Sequence, residues 1–580
     1  MPGVTIQLSR ETPNSDVSTI PSGRRPAANR ATRRSNWFPR RSSVTRSKVA
    51  EWAVLRFGGQ LDEALALSIN ESFTFDGAPE LRRGVRLSRV TQGCGSIFSS
   101  SAGVLANYEM SEEADRFGYF LSHNWSVSRW SKNFALCFAF NFHLALAMGI
   151  FLVIIVAVLT SLHLLPLVHE GDLQSTWVAR LIVVPMMTIT LLFGSNLLSK
   201  LGLRDPDVFL DKVCIHQTNE EVKQQGISKL GAFLDCSDRM LILYTDVYLQ
   251  KLWTIYEVAT FQSLRSVFEV DVIPVQLPAV VFATIPCGYA FTTVLMLWCY
   301  ISDTQPGSFR YLFPGLCSIG FMIFLRRWAR EKARTVVQLK EFDVRNCMCA
   351  VEADRQVIYA KIADLMRVVH HNLRNATQEE ALEAFNEQIR LRMPLAFGYI
   401  FGMTTLHYQH LLFISVNVVG TRAADYAYFD SSAHTEEILC YWAHEAAWTF
   451  TFWPALGFFA EVFASSCLSI RRFNLLWVLF SLCAIGCPFA LLHSWMQGLV
   501  ERSGTDKGAA RLSIVVSCSS ILSTWLLVAL YRCVRSQAAH HLESRKQNGA
   551  GCHTVLTETI GLSGEKSTEA DDDSQSVFSL

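Results

Sequence analysis

Residues 117–125, FGYFLSHNW, and residues 207–217, DVFLDKVCIHQ, decide the fold, because both read as buried strands of one sheet. Phe117–Leu121 is an apolar run closed by Ser122-His123-Asn124, and Val208–Leu210 is another, closed by Asp211. Met240–Tyr244 (MLILY), ended by Thr245-Asp246, and Val270–Gln276 (VDVIPVQ) read as a third and a fourth. Between them, residues 226–236 (GISKLGAFLDC) bring Ile227, Leu230, Phe233 and Leu234 to one helix face. Leu252–Leu264 repeats that spacing with Ile255, Val258, Ala259 and Gln262. Continuous apolar strands alternating with helices predict an α/β fold whose parallel sheet is covered on both faces.

The first two strands are separated by lipid-like sequence. From about Phe134 to Leu198 the chain is almost entirely apolar. A parallel connection needs a crossover of a dozen or more residues, and this apolar hairpin is the only candidate. Its cytosolic ends are therefore expected to pack on the sheet as the missing helix. With 50% hydrophobic residues and a mean hydropathy of +0.22, the chain reads as membrane-embedded. Eight stretches approach the roughly 20 apolar residues that a span needs: 134–160, 177–198, 278–301, 311–327, 394–419, 447–469, 474–498 and 511–533. The first begins past residue 100, so no N-terminal secretory signal of the usual layout is expected.

Charge is segregated although its sum is near zero. Arginines crowd the N-terminus (Arg24 to Arg41) and follow the fourth, sixth and eighth stretches, at Arg326–Arg334, Arg471-Arg472 and Arg532–Arg535. The alternate loops are acidic or mixed: His169–Asp172, Ser302-Asp303 and Asp425–Glu437. By the positive-inside rule this predicts an integral, multi-pass protein with both termini in the cytoplasm. The sixteen cysteines are scattered, none in an outer loop, which argues against a disulfide framework. Cys347-Met348-Cys349 lacks a second pair at ligand spacing, so no metal is expected.

In open parallel sheets ligands bind at the carboxyl ends of the strands, where strand order reverses. Those ends supply Ser122, His123, Asn124 and Trp125, then Asp211, then Thr245 and Asp246, with Leu252–Val258 (LWTIYEV) opening the next helix. These residues resemble the TIR-domain pattern. YFLSHNW is similar to its first box, VFLD to its second strand, and Trp253 with Glu257 to the W-x-x-x-E segment in which catalytically active TIR domains keep their glutamate. DKVCIHQ also resembles the signature of heterokaryon-incompatibility domains, which share a TIR-like fold. The resemblance covers about 130 residues, under a quarter of the chain.

What the resemblance implies is a flavodoxin-like, TIR-type sheet and hydrolysis of NAD at the nicotinamide–ribose bond, with Glu257 catalytic and NAD a substrate, not a cofactor. Trp253 would pack under the site, while Ser122, Trp125, Asp211, Thr245 and Tyr248 would line the nucleotide crevice. Breaking that bond passes through an oxocarbenium-like state, which a nearby carboxylate stabilises. The alternative is a non-catalytic adaptor acting by homotypic TIR-like self-association. The sequence departs from the TIR pattern in Thr254, where cysteine is usual, and in the polar loop Lys212–Gln225.

The expected organisation is a basic, disordered 1–50, an unassigned cytosolic 51–116, and a TIR-like domain from 117–133 and 199–277. Hairpins at 134–198 and 278–327, a cytosolic segment 328–393 completing the α/β domain, a bundle at 394–533 and a disordered tail at 534–580 make up the rest. In the cytosolic 328–393 segment, Val336–Val344 is a candidate fifth strand and Asp354-Arg355 opens a helix. The partners expected are the lipid bilayer and, at the terminus Phe578-Ser579-Leu580, a PDZ groove. Walker and dinucleotide glycine motifs are absent, and no basic–aromatic platform suggests nucleic acid. His407, His410 and Glu461 within apolar stretches keep a transporter or channel as a second alternative.

Overall fold

A computed structural model describes residues 72–548, apart from 302–311, 402–407, 430–434, 459–490 and shorter interruptions between 171 and 505. Six strands form its main sheet: β1 (Arg83–Arg86), β2 (Glu112–Glu113), β3 (Phe117–His123), β6 (Asp207–Phe209), β7 (Ser237–Tyr244) and β8 (Val270–Pro274). A separate hairpin pairs β4 (Val168–Glu170) with β5 (Leu173–Ser175). The sheet order is β2-β1-β6-β3-β7-β8. Strands β6, β3, β7 and β8 run parallel, with Phe120 opposite Phe209 on one side and Met240 on the other.

The sheet is mixed, not purely parallel. β1 lies antiparallel to β6 and carries β2 at its far edge. Both come from the segment that the sequence left unassigned. RGVR and Glu-Glu are too short and too charged to show an alternating pattern, and charge is what blunts an edge strand against further pairing. Arg83 fastens the turn between them, giving its Nε–H to Ser111 Oγ at 2.8 Å and an NH2 hydrogen to the Ser111 carbonyl at 2.6 Å.

The crossover from β3 to β6 is the apolar hairpin itself: α1 (Arg129–Ser161), the β4–β5 turn and α2 (Val178–Lys200). The first turns of α1 belong to the sheet's core, where Ala135 and Leu136 are buried with Phe117 and Phe120, and Phe140 meets Tyr119 edge-on at 4.9 Å. Further along, Phe142 and Ala145 join Val183, Met187 and Leu191 of α2 in a second apolar cluster. Gly149 lets the two helices close up, since a Cβ there would lie 2.2 Å from Met187 Sδ. Asn141 adds a buried bond from its Nδ2 to the Leu191 carbonyl at 3.0 Å.

At the far end Asp425, fully buried, caps α2 from another part of the chain. Its carboxylate accepts from the amides of Ala179 (2.8 Å) and Arg180 (3.3 Å), from Thr176 Oγ1 (3.2 Å), and from Arg180 Nε (3.2 Å). The helix's unpaired first amides and its positive end both favour a carboxylate there.

Residues 226–236 do not form one helix: α3 (Glu220–Ser228) breaks at Lys229 before α4 (Leu230–Asp235). Nor is Lys212–Gln225 a loop. It opens as the helical turn Asp211–Cys214 and then enters α3, whose N-cap Asn219 accepts from the Val222 amide. The helix α5 (Leu252–Leu264) follows β7, and α6 (Leu312–Lys340) takes up the first five residues of the expected fifth strand Val336–Val344, with no strand formed in the rest. Thr335 and Leu339, four apart, are buried while Val337 is exposed, a helical spacing that outweighs the β-branched pair Val336-Val337. α7 (Ala353–Val369) opens beside Asp354 as expected. With α8 (Gln378–Phe401) it covers the sheet, burying Ile358, Ile362, Met366, Phe385 and Ile389 in the same core.

Among the described residues three helices are long and apolar enough to cross a membrane: α1, α2 and the Lys507–Leu530 part of α9 (Lys507–Asn548). Large apolar side chains on them stand exposed, among them Phe151, Ile154, Ile189, Leu522 and Trp525. α9 runs helical past 534, where a disordered tail is expected. The stretch 474–498 falls largely outside the described residues and 447–469 does so from residue 459 on, as do His407, Glu461, the N-terminal basic segment and the C-terminal Phe578-Ser579-Leu580. His410 packs its ring against Phe138 and Phe142, 5.2 and 5.0 Å between centroids.

Candidate functional site

The chain passes from β3 to β6 on one side and then to β7 on the other, so strand order reverses between β3 and β7. The carboxyl ends of those two strands are where an open parallel sheet binds its ligands. From β3 comes Ser122, 1% exposed. From α5 comes Glu257, positioned because Leu252, Ile255, Val258 and Ala259 turn into the core and leave Glu257 at the border between sheet and helix. Thr254 tightens the turn before it, donating its hydroxyl to the carbonyls of Tyr248 and Lys251.

Ser122 Oγ donates to Glu257 Oε2 at 2.5 Å and also contacts Tyr248 OH. Since the single serine proton is given to the carboxylate, the phenol must be the donor to Ser122. A relay Tyr248–Ser122–Glu257 results. Burial pushes the Glu257 carboxyl up to about 8; the Ser122 bond opposes this and the Asp211 charge adds to it. Tyr248 is fully enclosed and held well above its usual range by burial, then by the Glu257 charge.

On the β6 side, Trp125 gives its Nε1–H to Asp211 Oδ2 at 2.9 Å. His123 stands edge-on to Trp125 (4.6 Å) and to Phe98 (5.6 Å). Burial lowers it to about 4, against the pull of Asp211, so the ring is neutral. Its Nε2 is buried without a hydrogen-bond partner, as is Asn124 Nδ2. Lys212 is buried and donates from Nζ to the carbonyls of Ile97 (3.0 Å) and Ser100 (2.8 Å), pinning that segment beside Trp125.

Of the residues singled out from sequence, Ser122, Tyr248 and Glu257 meet, and Trp125 meets Asp211. Asp211 links the two groups by its charge on Glu257. Thr245 lies at the end of β7 with its Oγ1 buried and unpartnered. Trp253 points elsewhere, its Nε1–H directed at Asp354 Oδ2 of α7 at 3.4 Å. Sequence reasoning missed Lys132, Lys212 and Phe98. Neither Lys132, just before the apolar stretch, nor Phe98 carries a periodic or motif signal.

The arrangement offers one titratable carboxyl in a low-dielectric wall, with a serine–tyrosine relay behind it and aromatic surface beside it. In that form it can stabilise a cation, and no second carboxyl lies within hydrogen-bond reach of Glu257 among the described residues. Compared with known proteins, the chain matches no protein-family model, no curated protein and no solved structure.

Proposed function

We propose that the protein is a multi-pass, membrane-anchored signalling protein whose cytosolic TIR-like module cleaves NAD at the nicotinamide–ribose bond. The observation that carries this reading is the Ser122–Glu257 bond at the switch point of the sheet. An empty site with its carboxyl near 8 is largely protonated at neutral pH. A cationic pyridinium ring beside it favours ionisation, because an opposite charge within a few ångströms stabilises the charged form. The carboxylate then supports the oxocarbenium character that grows as nicotinamide leaves with the bonding electron pair. Water adds to the ribosyl carbon and releases a proton.

The fold also supports an orientation. At 1.5 Å per residue, α1 is roughly 50 Å long, whereas a hydrocarbon core is about 30 Å thick. The surplus of about 20 Å matches the first turns, which pack on the sheet. The crevice then faces away from the bilayer, open to soluble nucleotides. The test is NAD consumption by the full-length protein in lipid nanodiscs. Glu257→Ala should abolish it while leaving the melting transition in place. Absence of turnover in the wild-type protein, with self-association that depends on Lys212–Gln225, would instead favour an adaptor.

A further inference from the structure

We infer that the groove formed by Trp125, Phe98 and the start of α1 is an anion site that takes the phosphate of a soluble phosphate ester. A groove of about 460 Å³ opens there, lined among others by Phe98, Ser101, Trp125, Ser126, Ser128 and Arg129. Behind its aromatic wall lies Lys132, with no exposed surface and no hydrogen-bond acceptor for its Nζ. The ammonium rests 4.5 Å from the centre of the Trp125 ring and 5.4 Å from that of Phe98. An ammonium with three unsatisfied hydrogens is costly to bury. The π faces offset part of that cost, but they accept no hydrogen bond of ordinary strength. An anion entering the groove would.

The surroundings are chosen for negative charge. Lys212 Nζ stands 5.6 Å from the same Trp125 ring, and Arg129 reaches the groove from the first turn of α1. Ser128 caps that helix through the Ser131 amide alone, so the amides of Arg129 and Trp130 have no intrahelical acceptor. A 33-residue helix also presents its positive end here. Asp211 is a carboxylate beside these cations, and Trp125 Nε1–H covers it.

That the phosphate belongs to a dinucleotide rests on the proposed function; the anion site does not. The test uses the full-length protein in nanodiscs of neutral lipid, with inorganic pyrophosphate as the probe. Pyrophosphate should bind the wild-type protein and raise its melting temperature. Lys132→Met should weaken that binding at least about tenfold, the loss of one charge-assisted contact, while melting no lower than wild type without ligand. Arg129→Ala, at a partly exposed position, should weaken it several-fold. Wild-type-like binding in both variants would overturn the site, whatever NAD turnover shows. If nanodiscs containing a phosphoinositide displace pyrophosphate, the ligand is a lipid headgroup and the soluble assignment fails. Absence of NAD turnover alongside Lys132-dependent binding would overturn the proposed function and leave the anion site standing.

Discussion

Ser122 of β3 and Glu257 of α5 share a hydrogen bond of 2.5 Å, although 135 positions separate them in the chain. The bond joins the first strand of the parallel set to the helix that follows the third. It pulls the Glu257 proton affinity down while burial drives it up. Ser122 is thus the group that keeps this carboxyl within reach of neutral pH.

Removing the hydroxyl should therefore move the pH profile. NAD turnover by wild type is expected to rise with pH through a midpoint about 8, as Glu257 ionises. Ser122→Ala should shift that midpoint upward by about one to two pH units, the worth of a hydrogen bond to a charged acceptor. A midpoint that stays put or falls would remove Ser122 from this role.

Stability should depend on pH with a definite sign. The folded carboxyl of Glu257 sits above its ordinary 4.5, near 8, so the folded state holds that proton more tightly than the unfolded chain. Its contribution is complete below 4.5 and disappears as pH rises through 8. His123, lowered from 6.5 to about 4, has the opposite slope, gaining stability as pH rises to 6.5. The two oppose each other at mildly acidic pH; above 6.5 the Glu257 decline continues to about 8, where Lys132, lowered by burial from 10.5 to about 8, begins to add stability as pH rises. Melting temperature should fall more steeply between pH 6.5 and 8 in wild type than in Glu257→Gln. Equal slopes in both would contradict the burial assigned to Glu257.

Because the crossover is the apolar hairpin, the sheet should not survive its removal. Leu136→Ala, in the sheet core though on an apolar helix, should cost about 2–5 kcal/mol. Phe151→Ala, exposed on the same helix, should leave the sheet's unfolding unchanged. A chain with 134–198 replaced by a flexible linker should lack cooperative unfolding. Cooperative melting of that chain would show that α1 and α2 are only a tether.

Asp425→Ala should loosen the far end of the hairpin. It strips a buried acceptor from two amides, Thr176 and Arg180, a loss of about 3–5 kcal/mol for a broken buried pair. Asp425→Asn should recover part of it by retaining a cap oxygen. Protease cleavage near 171–177 is the readout, and equal cleavage in all three proteins would refute the capping role.

Strand character was legible along the chain wherever it was local. Phe117–His123, Ser237–Tyr244 and Val270–Pro274 are apolar runs closed by polar residues, and such runs report burial on both faces without reference to a partner. The polar close of the first run placed Ser122 at a strand's carboxyl end, whereas Glu257, inside the helix Leu252–Leu264, stood out only through the TIR resemblance. Val336–Val344 misled because β-branched residues also fit a helix whose buried positions fall four apart.

Pairing, depth and charge were decided in three dimensions. β1 and β2 exist as strands only because β6 offers its edge, and nothing in RGVR announces a partner more than a hundred residues away. Lys132 reads as an ordinary flank until Phe98, Trp125 and the sheet enclose it, and Asp425 reads as loop until α2 presents its open end. Periodicity is a property of neighbours along the chain, whereas desolvation depends on which distant surfaces close around a group, so the elements can be read from residues while the site's chemistry requires the packing.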